Sequence, residues 1–193
     1  MELIFATNNA HKVGELRAAL PAGFSILSLK EAGIDRDIPE PHDTLEANAR
    51  EKAMVINELT GGDCFSEDTG LEVAALNGAP GVHSARYAGS DRSPADNTNK
   101  LLQELSGSAD RGARFRTIIC LCLKGTFHEF EGICPGQIAE SPRGTGGFGY
   151  DPVFVPEGGD GRCFAEMTLA EKNLFSHRRK AMDKLVAFLT ANP

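Results

Sequence analysis

This sequence predicts an α/β fold built on a mixed sheet, and three observations carry the prediction. Short apolar runs alternate with stretches of helical period along the whole chain. The run 115–123 is largely apolar on both of its alternating sets, as in a strand covered on both faces. Lys124-Gly125-Thr126 then turns that run into a partner at 127–133, so at least one strand pair is a hairpin.

The elements follow in order. Residues 2–6 form a short apolar strand ending in Thr7-Asn8-Asn9, after which Val13, Leu16 and Leu20 recur at helical spacing. Asp43-Thr44-Leu45-Glu46 has the form of a capping box. It opens a helix with the apolar stripe Leu45, Ala49, Ala53 and Ile56, while Asn48 and Lys52 share a different face. Cys64-Phe65-Ser66 is a brief strand, Glu67-Asp68-Thr69-Gly70 interrupts it, and a second short strand covers 71–74. Gly78-Ala79-Pro80-Gly81 is a turn, and Ser93-Pro94 starts a helix carrying Leu101, Leu102 and Leu105. A glycine-rich loop at 144–149 precedes a strand at 153–155. Thr168-Leu169-Ala170-Glu171 is another capping box, and Met182, Leu185, Val186 and Leu189 mark a final helix. With no repeat, linker or low-complexity tract, the span 1–193 is expected to be a single domain.

Bulk properties exclude several classes. A formal net charge of −7 without a Lys/Arg run lacks the basic face that stable nucleic-acid binding needs. A small phosphorylated ligand remains compatible, because a local pocket and a metal ion override net charge. The five cysteines are odd in number, form no CxxC and have apolar neighbours, which points to free buried thiols in a reducing compartment. The start Met1-Glu2-Leu3-Ile4-Phe5 has no basic n-region and reads as a strand rather than a signal peptide. No stretch approaches ~18 apolar residues, so no membrane span and a cytoplasmic location are expected.

Four segments carry candidate chemistry. Thr7-Asn8-Asn9-Ala10-His11-Lys12 lies where a strand meets a helix, a place where amides, hydroxyl and amide side chains and Lys12 can meet phosphate oxygens. The same Thr and Asn residues are also good helix caps. Glu67-Asp68 puts two carboxylates side by side after a buried strand, which demands pairing, hydration or a cation. Glu40 adds a third from a Pro-flanked segment, and an oxygen-only set of this kind suits Mg²⁺. The string 144–149 matches G-x-G-x-x-G, yet Tyr150-Asp151-Pro152 follows where a dinucleotide fingerprint requires a helix. A loop offering Phe148 to a flat ligand with Asp151 beside it is the better assignment. Lys172, His177 and Arg178 gather two cations and an imidazole around the start of the last helix, with Ser176 as its expected cap. No Walker A lysine motif is present, which disfavours a P-loop enzyme.

Together, Thr7-Asn8-Asn9-x-x-Lys12, Glu67-Asp68-Thr69-Gly70-Leu71, Gly78-x-Pro80-Gly81-x-x-Ser84-Ala85-Arg86, Gly146-Gly147-Phe148-Gly149-Tyr150-Asp151-Pro152 and Ser176-His177-Arg178 closely resemble the inosine triphosphate pyrophosphatase, or Ham1-like, family. The resemblance covers essentially the whole chain. It implies a long mixed sheet flanked by helices, with two lobes sharing that sheet and an active-site cleft between them. It also implies Mg²⁺-dependent hydrolysis of ITP, dITP, XTP and dXTP to the monophosphate and pyrophosphate, in a homodimer. On the matching positions, Thr7, Asn8, Asn9, Ala10, His11 and Lys12 would hold phosphates, with Lys52 reaching them from its helix. Glu40 and Asp68 would bind metal, Asp68 doubling as catalytic base, and Thr69 would touch substrate. Phe148, Gly149, Tyr150, Asp151, Lys172, His177 and Arg178 would form the base pocket, where Lys172 and Arg178, donors only, suit a 6-carbonyl. One departure concerns the second helix, where many bacterial relatives carry two glutamates and this chain has Glu46-Ala47. Two alternatives stay open: a Maf-like pyrophosphatase acting on modified nucleotides, and a nucleotide-binding regulator without turnover.

Overall fold

The computed structural model describes residues 1–91 and 93–192. Its elements are β1 (Glu2–Phe5), α1 (Ala10–Ala19), β2 (Ser25–Ser28), α2 (Leu45–Thr60), β3 (Cys64–Val73), β4 (Pro80–Gly81) and α3 (Pro94–Glu104). They continue with β5 (Gly112–Leu123), β6 (Thr126–Ile138), β7 (Phe154–Pro156), α4 (Leu169–Asn173) and α5 (His177–Ala191). The hydrogen-bonded strand order is β2-β1-β3-β5-β6-β7, with β4 paired to β3. The sheet is mixed as expected: β1 runs parallel to β2 and β3, while the β3–β4 and β6–β7 pairs are antiparallel. Between β5 and β6 only Lys124 and Gly125 intervene, both at positive φ (50° and 77°), as a two-residue hairpin turn of this hand requires.

The chain divides into two compact units, each assembled from separate segments. The first comprises Met1–Asp68, Thr117–Gly132 and Arg178–Pro193. Its core joins Leu3 and Phe5 of β1, Val13 and Leu16 of α1, Phe65 of β3 and Met182, Leu185 and Leu189 of α5. The Phe5 and Phe65 rings stack at 4.5 Å, and burying a large apolar side chain of this kind is worth ~1.5–3 kcal/mol. On α2 the whole stripe Leu45, Ala49, Ala53 and Ile56 is buried, so its helical spacing has a packing cause. The second unit comprises Thr69–Arg116 and Ile133–His177. Leu71, Leu101, Leu105, Phe115, Val153, Phe154 and Phe164 form its core, with Phe115 tilted against Phe154 at 4.6 Å. Ser93 caps α3 by accepting from Asp96 N at 3.3 Å, and Pro94 takes the first turn, where its missing N–H costs nothing.

Three local expectations shift. The two strands expected around the acidic motif are one, because β3 runs unbroken through Glu67, Asp68, Thr69 and Gly70. Acidic residues disfavour strands, but here both carboxylates find cationic partners and the ladder continues. The cap of α2 is Thr44, whose hydroxyl accepts from Ala47 N at 3.2 Å, one residue later than the Asp43–Glu46 pattern suggests. The short strand β2 has no counterpart in the sequence reading, since four residues give too little pattern. All five cysteines are free and buried, and burial pushes the Cys64 and Cys120 thiols up to about 12, which removes thiolate reactivity.

Candidate active site

The first unit holds a buried network of charged groups. Strand β3 presents Glu67 and Asp68 in succession, so their side chains leave on opposite faces. Lys52, projected from α2, places its ammonium 2.6 Å from Glu40 Oε1, 3.1 Å from Asp68 Oδ1 and 2.8 Å from the Glu67 carbonyl. These contacts match its three donors, which is how a lysine survives in this interior. Glu67 receives a fork from Arg178, with Nε to Oε2 at 2.8 Å and Nη2 to Oε1 at 3.0 Å. Lys12 Nζ lies 3.4 Å from Glu67 Oε1, and Arg178 Nη1 donates to Glu15.

The charges distribute unevenly. Glu15, Glu40, Glu67 and Asp68 face Lys12, Lys52 and Arg178, four carboxylates against three cations. Burial pushes the Asp68 carboxyl above the usual carboxylate range, more than Lys52 beside it pulls it down. At Glu40 burial acts the same way, but Lys52 outweighs it and the net shift is downward. Lys52 and Arg178 stay charged well above neutral pH: burial opposes their charge, and their carboxylate partners overcome it. Glu40 and Asp68, the two carboxylates expected to bind metal, are brought together on Lys52. Among the described residues no group of three or more His, Cys, Asp or Glu side chains is arranged around such an ion.

The turn before α1 is tightly organised. Asn9 caps the helix, its Oδ1 accepting from His11 N at 3.0 Å and Lys12 N at 3.2 Å. Thr7 Oγ1 accepts from Asn9 N at 3.2 Å, and Asn8 Oδ1 accepts from Lys30 N at 3.0 Å. Thr7 and Asn9 thus make local contacts at the helix start and Asn8 ties it to residue 30, with Asn8, Asn9, Ala10 and His11 exposed.

The second unit holds a smaller constellation in the loop after β6. Asp151 is buried, and its Oδ2 accepts from Phe148 N at 2.9 Å and Lys172 Nζ at 2.6 Å. At Gly147 (φ 69°) the space of a Cβ is filled by that same carboxylate, so no side chain is tolerated there. Lys172 comes from α4, whose capping box is the expected one: Thr168 Oγ1 accepts from Glu171 N and Thr168 N donates to Glu171. The Lys172 ammonium lies 5.3 Å from the Phe148 ring centroid and 5.2 Å from that of Phe164. The His177 ring stacks on Phe115 at 4.6 Å, and Ser176 immediately precedes α5, which starts at His177.

Two of the expected site residues also have structural partners. Arg178 directs its guanidinium to Glu67 and Glu15 within its own unit. Tyr150, expected as a substrate contact, is 4% exposed and donates its hydroxyl to Ser84 O at 2.9 Å. Glu15 was absent from the sequence reading altogether. It pairs with a residue 163 positions away, a separation at which helical or strand period says nothing.

Comparison with known proteins decides the family. The sequence model of the Ham1 family matches residues 3–188. The chain belongs to the Ham1 family. A dITP/XTP pyrophosphatase of Flavobacterium johnsoniae is 49% identical over 191 residues, 99% of each chain. Another from Porphyromonas gingivalis is 51% identical over 189 residues, 97% of each. Among solved structures, the Ham1 protein of Staphylococcus aureus superposes with a TM-score of 0.89 at 34% identity over 100% of both chains. Family membership and the mixed α/β architecture thus agree with what the five motifs implied.

Proposed function

We propose that this chain hydrolyses non-standard purine nucleoside triphosphates, ITP, dITP, XTP and dXTP, to the monophosphate and pyrophosphate, with Mg²⁺. The observation that carries the proposal is the buried Glu40–Lys52–Asp68 arrangement beside the Thr7–Lys12 turn, in a chain about half identical to dITP/XTP pyrophosphatases over its full length.

The donor set fits the ion. Mg²⁺ binds through one or two carboxylates, keeps several waters and takes further oxygens from substrate phosphates, so Glu40 and Asp68 suffice and a three-residue cage is not needed. Bound there, it would supply charge neutralisation at the phosphate oxygens. Asp68 orients and deprotonates the attacking water. Lys52, with 7% of its side chain exposed, holds Glu40 and Asp68 in place, whereas Lys12, at 18%, is the cation better able to reach a phosphate. In the second unit Phe148 supplies a stacking face and Lys172 a donor for a 6-carbonyl oxygen.

The test is turnover on ITP, XTP, GTP, ATP and a modified pyrimidine triphosphate, with and without Mg²⁺ and with products identified. Rapid release of pyrophosphate from ITP and XTP is expected. Preference for the pyrimidine would favour a Maf-like activity, and tight binding without turnover a regulator.

A further inference from the structure

The motif Gly78-Ala79-Pro80-Gly81-x-x-Ser84-Ala85-Arg86 has no part in the chemistry above, yet its serine is a junction. Ser84 is buried. Its hydroxyl donates to Gly81 O at 2.6 Å and accepts from Leu71 N at 2.8 Å, while its carbonyl accepts from the Tyr150 hydroxyl at 2.9 Å. These bonds join the end of β3, strand β4 and the loop carrying Phe148 and Asp151. Leu71 stands two residues after Thr69; Tyr150 stands two after Phe148 and one before Asp151.

Neighbouring contacts stiffen the junction. At Gly70 a Cβ would lie 2.7 Å from Gly81 O, so β3 closes on β4 only because residue 70 is glycine. Asn97 of α3 accepts from Ala88 N at 2.6 Å and donates to Ala85 O at 3.1 Å, which fastens the segment bearing Ser84 to a helix. The Tyr150 ring sits in the apolar core, leaving its hydroxyl as the polar link.

We propose that Ser84 is a positioning residue. It splints the Thr69-Gly70-Leu71 backbone to the 148–151 loop, so that Thr69, Phe148 and Asp151 meet the purine end of the nucleotide in one fixed arrangement. The inference rests on the pyrophosphatase reading above and adds a determinant of base binding that touches no substrate. Such a splint acts on the base end and leaves phosphate binding, supplied by the first unit, unaltered.

Steady-state kinetics on Ser84→Ala, Tyr150→Phe and the double variant test it, with inorganic tripolyphosphate as a phosphate-only competitor. Tyr150→Phe keeps the ring and removes one buried hydrogen bond; KM for ITP should rise about fivefold, with the Ki of tripolyphosphate unchanged. Ser84→Ala should raise KM by at least as much, and the double variant by less than the product of the two, because the residues share a junction. Wild-type KM in both folded single variants overturns the splint, as does a KM and Ki that rise together, or a strictly multiplicative double variant. If Ser84→Ala does not fold, Tyr150→Phe decides alone by the same KM-against-Ki criterion. A wild-type protein that leaves ITP intact overturns the pyrophosphatase reading itself, an outcome separate from active enzyme with unaffected variants.

Discussion

The two units handle charge in opposite ways. The first links carboxylates and cations in pairs, with Glu67, Asp68, Lys52 and Arg178 buried and Lys12, Glu15 and Glu40 half-buried around them. The second commits one buried pair, Lys172–Asp151, and surrounds it with the rings of Phe148 and Phe164. Clustered carboxylates invite a cation and tolerate a polyanion only through it, whereas a donor beside aromatic faces suits a flat, uncharged base. Under the proposed function, discrimination and hydrolysis fall to different segments of the chain.

Breaking the comparison at its most charged point should give the largest effect. Asp68→Asn preserves shape and leaves Lys52 paired with Glu40, but removes the basic group, so kcat should fall by about 10²–10⁴. A kcat within an order of magnitude of wild type would remove Asp68 from the role. On the other side, Phe148→Ala removes a stacking face worth ~1–3 kcal/mol per base, a KM increase of roughly 5- to 150-fold for ITP and GTP alike. If kcat falls and KM does not, the second unit takes part in the chemical step and the division of labour fails.

How much of this the sequence foretold follows from how far apart the partners lie. The stripe Leu45, Ala49, Ala53 and Ile56, the Ser93-Pro94 helix start and the Lys124-Gly125 hairpin are local, and period or turn chemistry gives them away. The helix face of Lys52 is legible in the sequence, but its partners Glu40 and Asp68 are 12 and 16 positions away, and the structure spends its ammonium on them. Arg178 illustrates the same limit more strongly: its forked bond to Glu67 spans 111 positions. Pairing of buried charges is set by tertiary packing, which no window of sequence contains.

Ala47 gives a smaller test of where the first unit's charge network ends. If position 47 belonged to the metal shell, Ala47→Glu would lower the Mg²⁺ requirement. In the structure Ala47 is the third residue of α2 and donates its N–H to the Thr44 cap, the position from which a glutamate closes a capping box. Ala47→Glu should therefore raise stability by about 0.3–1 kcal/mol, the worth of an acidic residue in a first helical turn, with an unchanged Mg²⁺ titration. A lowered half-saturating Mg²⁺ concentration would return the position to the metal shell.

The smallest effect asks whether the two units unfold together. Each carries a glutamate held well below its ordinary value of 4.5. Glu31 is lowered to about 2 by Arg17 and by Ser28, and Glu171 to about 2 by Arg162 and by Thr168. A carboxyl depressed in the folded state contributes stability above its unfolded value, and that contribution fades as pH falls from 4.5 toward 2. Glu31→Gln and Glu171→Gln should each lower Tm slightly at pH 7, by less at pH 3, and not at all near pH 2, because both pairs are solvent-screened. Scanning calorimetry then separates two cases. A single transition lowered by either variant means that the units melt as one cooperative body. Two transitions, with Glu31→Gln moving one and Glu171→Gln the other, would mean that the charge-dense and the aromatic unit hold their folds independently, despite the strands β3, β5 and β6 that belong to both.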